Sequence, residues 1–450
     1  MGFEFKSPSI ALEIFIGLII LVQLSCVSNS LLLPEDHTNT GSFPQQTNNN
    51  LSLSDARTSC IKKPLNKKLW NDLELDSYLQ NYIGGKTLSL VAFSDGVNVT
   101  NFPCGIGQSC DAGEMCRSAP TPAWYILAAT QNWNDLMNTI YKSIAFAIGT
   151  IQDLAPSMVA DLTPSLSSLP IKIATIIGVI ASSTGVVPGF LFPGNGVYYY
   201  LFVQGFLYTT VAEIGLYVNT IRPPPDVVSG YTSWTNFAWL LSSIQDHAQQ
   251  LVANYTLSVL QGGISTDKGL YGVLKNGYFL ESSSNPPETE IENEIERVTR
   301  LKLLSAILRS RNTYITRGSD KCIYSGPDGA FPSSKALSYC DKNGIMMNIV
   351  QAHGSKTAMK FFGGEKITAK YNFTVGYLTE AAWNCQQNQK QQNNDPQKNR
   401  TIPKDTYLEC PFTLPVCDCA REDIKKARRR GTRTAKACFQ AGVPIYAPKI

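Results

Sequence analysis

Apolar residues recur every three or four positions over much of this chain, and that period predicts helices. One stripe runs through Ile126, Ala129, Trp133, Leu136, Ile140, Ile144, Ile148 and Ile151. Thr121 and Pro122 ahead of it suit an N-cap with proline in the first turn, and Pro156 predicts its end. A second stripe, Phe237, Leu241, Ile244, Ala248, Leu251 and Tyr255, closes at Gly262-Gly263. A third spans Glu288 to Arg311 through Ile291, Ile295, Val298, Leu301, Leu304 and Leu308. Its carboxylates come early and its cations late, the order that complements a helix dipole. Leu69 to Ile83 has a mixed helical pattern that Gly84-Gly85 would stop, and Leu88–Phe93 reads as a short strand or a helical turn. Lys366 to Thr379 alternates and reads as a strand or hairpin, a small β element near the C-terminus.

One stretch has no polar face. Ile173 to Ala212 is 40 residues without an Asp, Glu, Lys or Arg. Gly185–Gly196, with Pro188 and Pro193, divides it into two arms, because proline lacks the amide hydrogen and clashes with the preceding turn. The expectation is an apolar hairpin of two helices over 173–217. A helix that is hydrophobic all round lies in a protein core or in lipid. The first arm is too short to span a bilayer, so a core hairpin is the leading reading and insertion into a membrane the alternative.

The chain has 450 residues, enough to bury a sizeable core, and a net charge of +4, too small to point to nucleic acid. At its start Lys6 precedes an apolar run from Ile14 to Leu24, then small residues to Ser28. That is the length of a signal-peptide core rather than of a membrane anchor, with 1–28 removed. Sequons for N-glycosylation begin at Asn50, Asn98, Asn254, Asn372 and Asn399. Of twelve cysteines Cys26 would leave with the signal, and eleven remain. They are Cys60, Cys104, Cys110, Cys116, Cys322, Cys340, Cys385, Cys410, Cys417, Cys419 and Cys438, all disulfide candidates in a secreted chain. Eleven is odd, so one thiol should be free or paired to another chain. The expected organisation is a polar, disordered lead-in over 29–59, then a single domain over 60–450. Within that domain, 60–222 holds a cysteine loop and the apolar helical core, 226–320 amphipathic helices, and 321–450 a cysteine-rich, loop-rich part. Pro223-Pro224-Pro225 marks the internal break. The fold class expected is mainly α, pinned by disulfide-rich loops.

Candidate chemistry is sparse. Gly84-Gly85-Lys86-Thr87 resembles the end of a phosphate loop, but Gln80 stands where the first glycine belongs. The histidines, His37, His247 and His353, show no ligand spacing, and no serine elbow occurs. Asp95, Asp111, Glu114 and Asp246 could supply a glycosidase pair, although nothing marks two of them as special. Cys417-Asp-Cys419 lacks Cys-x-x-Cys spacing and reads as two separate structural disulfides. No metal or cofactor is expected. Lys425, Lys426, Arg428, Arg429, Arg430, Arg433 and Lys436 form a basic run. It reads first as a solvated face opposite Ile424 and Ala427, then as a dock for lipid headgroups or acidic polysaccharide, or as a processing site.

Several short motifs point to a family. They are Cys104 to Cys110, Ala129 to Asn134, Tyr271 to Leu280, Thr316 to Cys322, Gly326 to Phe331, Leu337 to Cys340, Met346 to Val350 and Leu414 to Cys417. From Cys60 onward the chain resembles a family of secreted basidiomycete fungal proteins defined only as a domain of unknown function. The resemblance implies a fungal, secreted origin and brings no catalytic residues. The function expected is a non-enzymatic secreted glycoprotein that meets an extracellular protein or glycan. The alternatives are membrane activity through 173–217 and an extracellular carboxylate-dependent hydrolase.

Overall fold

The computed structural model describes residues 64–115, 117–164, 179–180, 187, 230–281, 287–322, 336–392 and 412–445. The apolar hairpin over 173–217 lies outside the described residues except for Val179, Ile180 and Val187, which are helical and buried. The expected signal segment and lead-in, His37, Cys60, Cys116, Cys410, Asn50 and Asn399 also fall outside them.

The helices in chain order are α1 (Lys67–Asp72), α2 (Leu75–Gln80), α3 (Leu90–Gly96), α4 (Thr121–Leu162), α5 (Gly230–Gln261), α6 (Leu270–Leu274), α7 (Glu288–Ser310), α8 (Lys366–Ala369), α9 (Val375–Gln392), α10 (Glu422–Arg429) and α11 (Thr434–Gln440). The strands are β1 (Thr313–Lys321), β2 (Ser338–Cys340), β3 (Ile345–His353), β4 (Lys356–Ala358) and β5 (Val416–Asp418). All described residues belong to one compact unit over 54–450.

The axis of the fold is α4. It is 42 residues long, about 63 Å at 1.5 Å per residue. Its whole predicted stripe is buried, from Ile126 to Ile151, and α5 and α7 both pack along it. Pro156 does not end it, contrary to the expectation from sequence. Gln152, Asp153, Pro156 and Ser157 are exposed, so the carbonyl that proline leaves unpaired faces water. Ala155, Met158, Val159 and Leu162 are buried and hold the last turns in the core.

The region 69–83 is two short helices rather than one. Glu74 sits in the left-handed region at φ 50° between α1 and α2. The Asp76 carboxylate then accepts from Trp70 Nε1 at 2.9 Å and from the Asn276 amide. Leu88–Phe93 resolves to the start of α3.

Lys366–Thr379 is not a strand or hairpin. It is α8, a link at 372–374 that contains the left-handed Asn372, and the first turn of α9. Ile367 and Tyr371 are buried one helical turn apart, and the alternation of Tyr371, Phe373 and Val375 belongs to the link alone. The β structure is instead a five-stranded sheet in the order β2-β3-β1-β5, with β4 on β3. Among the described strands only β1 and β5 pair in parallel. One face carries Ile315, Leu337, Met347, Ile349 and Val416 into the helical core. The other carries Tyr314, Val350, Cys417 and Cys419 against α10 and α11. Covering on both faces explains why Thr313 to Thr316 is continuously buried.

Candidate functional site

Between α7 and the link before α9 lies a groove of about 520 Å³, a volume that suits a small ligand. Asn293, Glu296, Arg297 and Arg300 form one wall, because residues three, four and seven apart share a helix face. Tyr371, Asn372, Phe373, Thr374 and Tyr377 form the other. Asn372 takes φ 60°, a left-handed position that asparagine tolerates better than most residues. The Thr374 hydroxyl then accepts from the Tyr377 amide at 3.2 Å and caps the start of α9.

Arginine sets the groove's electrostatics. The Arg297 guanidinium donates two bonds to Glu294, an arrangement that also raises its pKa, and a third at 2.7 Å to the Tyr377 hydroxyl. Arg300 pairs with Glu296, while its Nε is buried without an acceptor. Phe373 and Tyr377 stack with ring centres 6.5 Å apart. Beneath the groove, Tyr371 donates to Asp161 at 2.8 Å, and Lys366 and Lys370 pair with the same carboxylate. The bonds from Lys366, Lys370 and Tyr371 hold Asp161 well below the usual carboxylate range. With its carboxylate committed to an arginine, the groove offers planar donors and aromatic faces rather than a free acid–base pair.

A second feature lies on the far side of the sheet. Ile424 of α10 is fully buried, and Lys425, Lys426, Arg429, Arg430, Arg433 and Lys436 are exposed. Lys425 faces Glu422 at 3.7 Å, and Arg433 donates to Ser355. Arg428 is half-buried and donates to the Ser319 carbonyl. Lys426, Arg429, Arg430 and Lys436 have no carboxylate partner among the described residues. The helix dipole accounts for cations at the end of α10. It does not account for Arg430, Arg433 and Lys436 beyond that end.

Disulfides join Cys104 to Cys110, Cys322 to Cys340 and Cys417 to Cys438. Cys385 is also disulfide-bonded. Cys419 is a free, buried thiol, so Cys417 and Cys419 do not belong to two separate disulfides. The sulfurs of Cys417, Cys419 and Cys438 lie within 4.8 Å of one another. The 417–438 bond leaves that cluster one thiol, and burial pushes Cys419 up to about 11. A buried thiol of that kind is chemically quiet.

The other sequence candidates stand apart. Asp95, Asp111 and Glu114 are exposed; Asp111 accepts from the Gly113 amide, and Glu114 pairs with Arg117. Asp246 is exposed and His247 half-buried on α5, while His353 is exposed at the end of β3. Gly85 carries no phosphate-loop geometry: its carbonyl accepts from Ser265, which leaves no room for a side chain. Asn98, Asn254 and Asn372 are exposed, and of these only Asn372 lines the groove.

Two of the sequence motifs form one unit. Asn134 takes the Gly105 amide and donates to the Gln108 carbonyl. Asn138 takes the Gly107 amide, and Gln131 takes that of Ala112. The loop Cys104–Cys110 is thereby pinned to α4, and Asn132 pins the carbonyls of Phe279 and Glu281. Apart from the sequon at Asn372, the groove residues were not singled out from sequence. The available signal was the polar spacing Asn293, Glu296, Arg297, Arg300 on an otherwise amphipathic helix.

Residues 222–445 match the model of a family described as a domain of unknown function (DUF7872). The motifs at 104–110 and 129–134 lie before that match. No curated protein and no solved structure matches the chain.

Proposed function

We propose that the protein is a secreted, non-enzymatic fungal glycoprotein that binds an acidic polysaccharide through the cationic face of α10 and α11. The observation that carries this reading is the set of exposed cations, Lys426, Arg429, Arg430 and Lys436, without carboxylate partners among the described residues. Unpaired surface cations on a rigid layer attract a polyanion and add little to folding, because surface charges are well solvated. The layer is rigid for a local reason: the 417–438 disulfide ties β5 to α11, and Ile424 anchors α10. The disulfides are consistent with an extracellular location. Ion-paired carboxylates in the groove favour recognition over hydrolysis.

The test is binding of the full-length protein to an immobilised polyuronate, with a neutral glucan and anionic vesicles as comparisons. Retention should weaken steeply between about 50 and 300 mM salt, since screening shortens the reach of surface charge. The triple variant Arg429→Gln, Arg430→Gln, Lys436→Gln should lose binding at least tenfold, about 1.4 kcal/mol, with its melting temperature nearly unchanged. Equal retention of the variant would sink the reading. Binding to vesicles alone would shift the partner to a membrane surface.

A further inference from the structure

We propose that the groove between α7 and α9 is occupied by the protein's own carbohydrate, an N-linked glycan on Asn372. Asn372-Phe373-Thr374 is a complete sequon, and Asn372 is both exposed and part of the groove lining. A sugar attached there starts inside the groove, so binding carries no separate encounter cost. The walls match its chemistry. A saccharide presents weakly apolar C–H faces and a rim of hydroxyl and amide groups. The Tyr377 ring, 37% exposed and stacked on the buried Phe373 ring, supplies a flat apolar face. Asn293, Arg297 and Arg300 on the α7 wall supply planar donors.

The inference rests on the secretory reading, because transfer requires that route. A polyisoprenyl-pyrophosphate oligosaccharide is the donor. The bond from Asn372 Nδ2 to the sugar C1 forms, the C1–oxygen bond to pyrophosphate breaks, and the amide proton leaves with the pyrophosphate.

Both sequon residues also have local work, which the test must preserve. Asn372 holds a left-handed turn, and Thr374 caps α9. Asn372→Gly keeps the turn without an acceptor amide. Thr374→Asp keeps a capping oxygen and ends the sequon, whereas Thr374→Ser keeps both.

The full-length protein is expressed through a eukaryotic secretory pathway, and occupancy is read by peptide mass spectrometry. Wild type and Thr374→Ser should carry a glycan at Asn372, and Thr374→Asp and Asn372→Gly none. Under native conditions, endoglycosidase should release that glycan about fivefold faster from Tyr377→Ala than from wild type, a modest loss of binding. A secreted protein glycosylated at other sequons but empty at Asn372 overturns the inference and leaves the secreted reading intact. Release at equal rates from wild type and Tyr377→Ala overturns the groove as its seat. A chain that is neither secreted nor glycosylated anywhere removes the extracellular reading and this inference together.

Discussion

Asp161 shows how much one half-buried side chain can organise. It ends α4 and gathers Lys366, Lys370 and Tyr371 from a segment some two hundred residues later. Gly363 makes the approach possible, because a Cβ there would stand 2.0 Å from the Asp161 carbonyl oxygen. Asp161→Asn should cost about 1–2 kcal/mol in chemical denaturation, the scale of a charge-assisted hydrogen bond. Its pH signature has a definite sign. The folded carboxyl is depressed, so its stabilisation is present above the unfolded value of about 4. It is lost as pH falls toward the folded value. Wild type should therefore lose stability below about pH 4 more steeply than Asp161→Asn, which a denaturation series would read. Cys419 makes the opposite prediction, of silence. Iodoacetamide at pH 8 should leave it unlabelled in the native protein and label it after unfolding without reductant. Asp161 did not stand out in the sequence, where it has no nearby cation, and Cys419 was expected in a disulfide rather than as a free thiol.

Helices were the legible elements. The stripes of α4, α5 and α7 repeat at helical spacing over several turns, so their burial follows from the order of residues alone. Failures fell where local pattern and packing disagree. Pro156 ends an isolated helix, yet α4 continues because its apolar side stays in the core. The alternation over Tyr371, Phe373 and Val375 imitates a strand, yet Asn372 turns the backbone between two helices. The asparagine motif on α4 is structural: Asn134→Ala leaves the Gly105 amide without its partner and removes one of the two donors to the Gln108 carbonyl, the other being Asn138. It should cost about 1–3 kcal/mol and speed amide exchange at Gly105. Removing the Cys104–Cys110 bridge, which closes a short loop, should cost about 2 kcal/mol by loop entropy. A truncation in the stripe, Ile148→Ala, should cost about 2–5 kcal/mol.

At the scale of the molecule, the family match and the folding unit do not coincide. The match covers 222–445, whereas the compact unit holds the whole of 54–450. Helix α7 packs on α4, Asn132 holds the carbonyls of Phe279 and Glu281, and Asp161 anchors α8. A fragment 222–445 expressed alone should expose the apolar stripes of α5 and α7. It should bind a hydrophobic dye and unfold without a cooperative transition, whereas the full chain unfolds sharply. Cooperative melting of the fragment would show that α4 is dispensable.

By itself the sequence determined the helical stripes and the reserve of cysteines. Each depends on residue type and short spacing, which the chain carries without folding. Only the tertiary structure decided that Asn293 to Arg300 faces Tyr371 to Tyr377 across a groove, and that Cys417 chooses Cys438 over Cys419. It also decided that β1 lies between β3 and β5. Those pairings join residues far apart in the chain. Loop-closure entropy, sheet register and the burial of partners select them, and none of these leaves a periodic mark on the sequence.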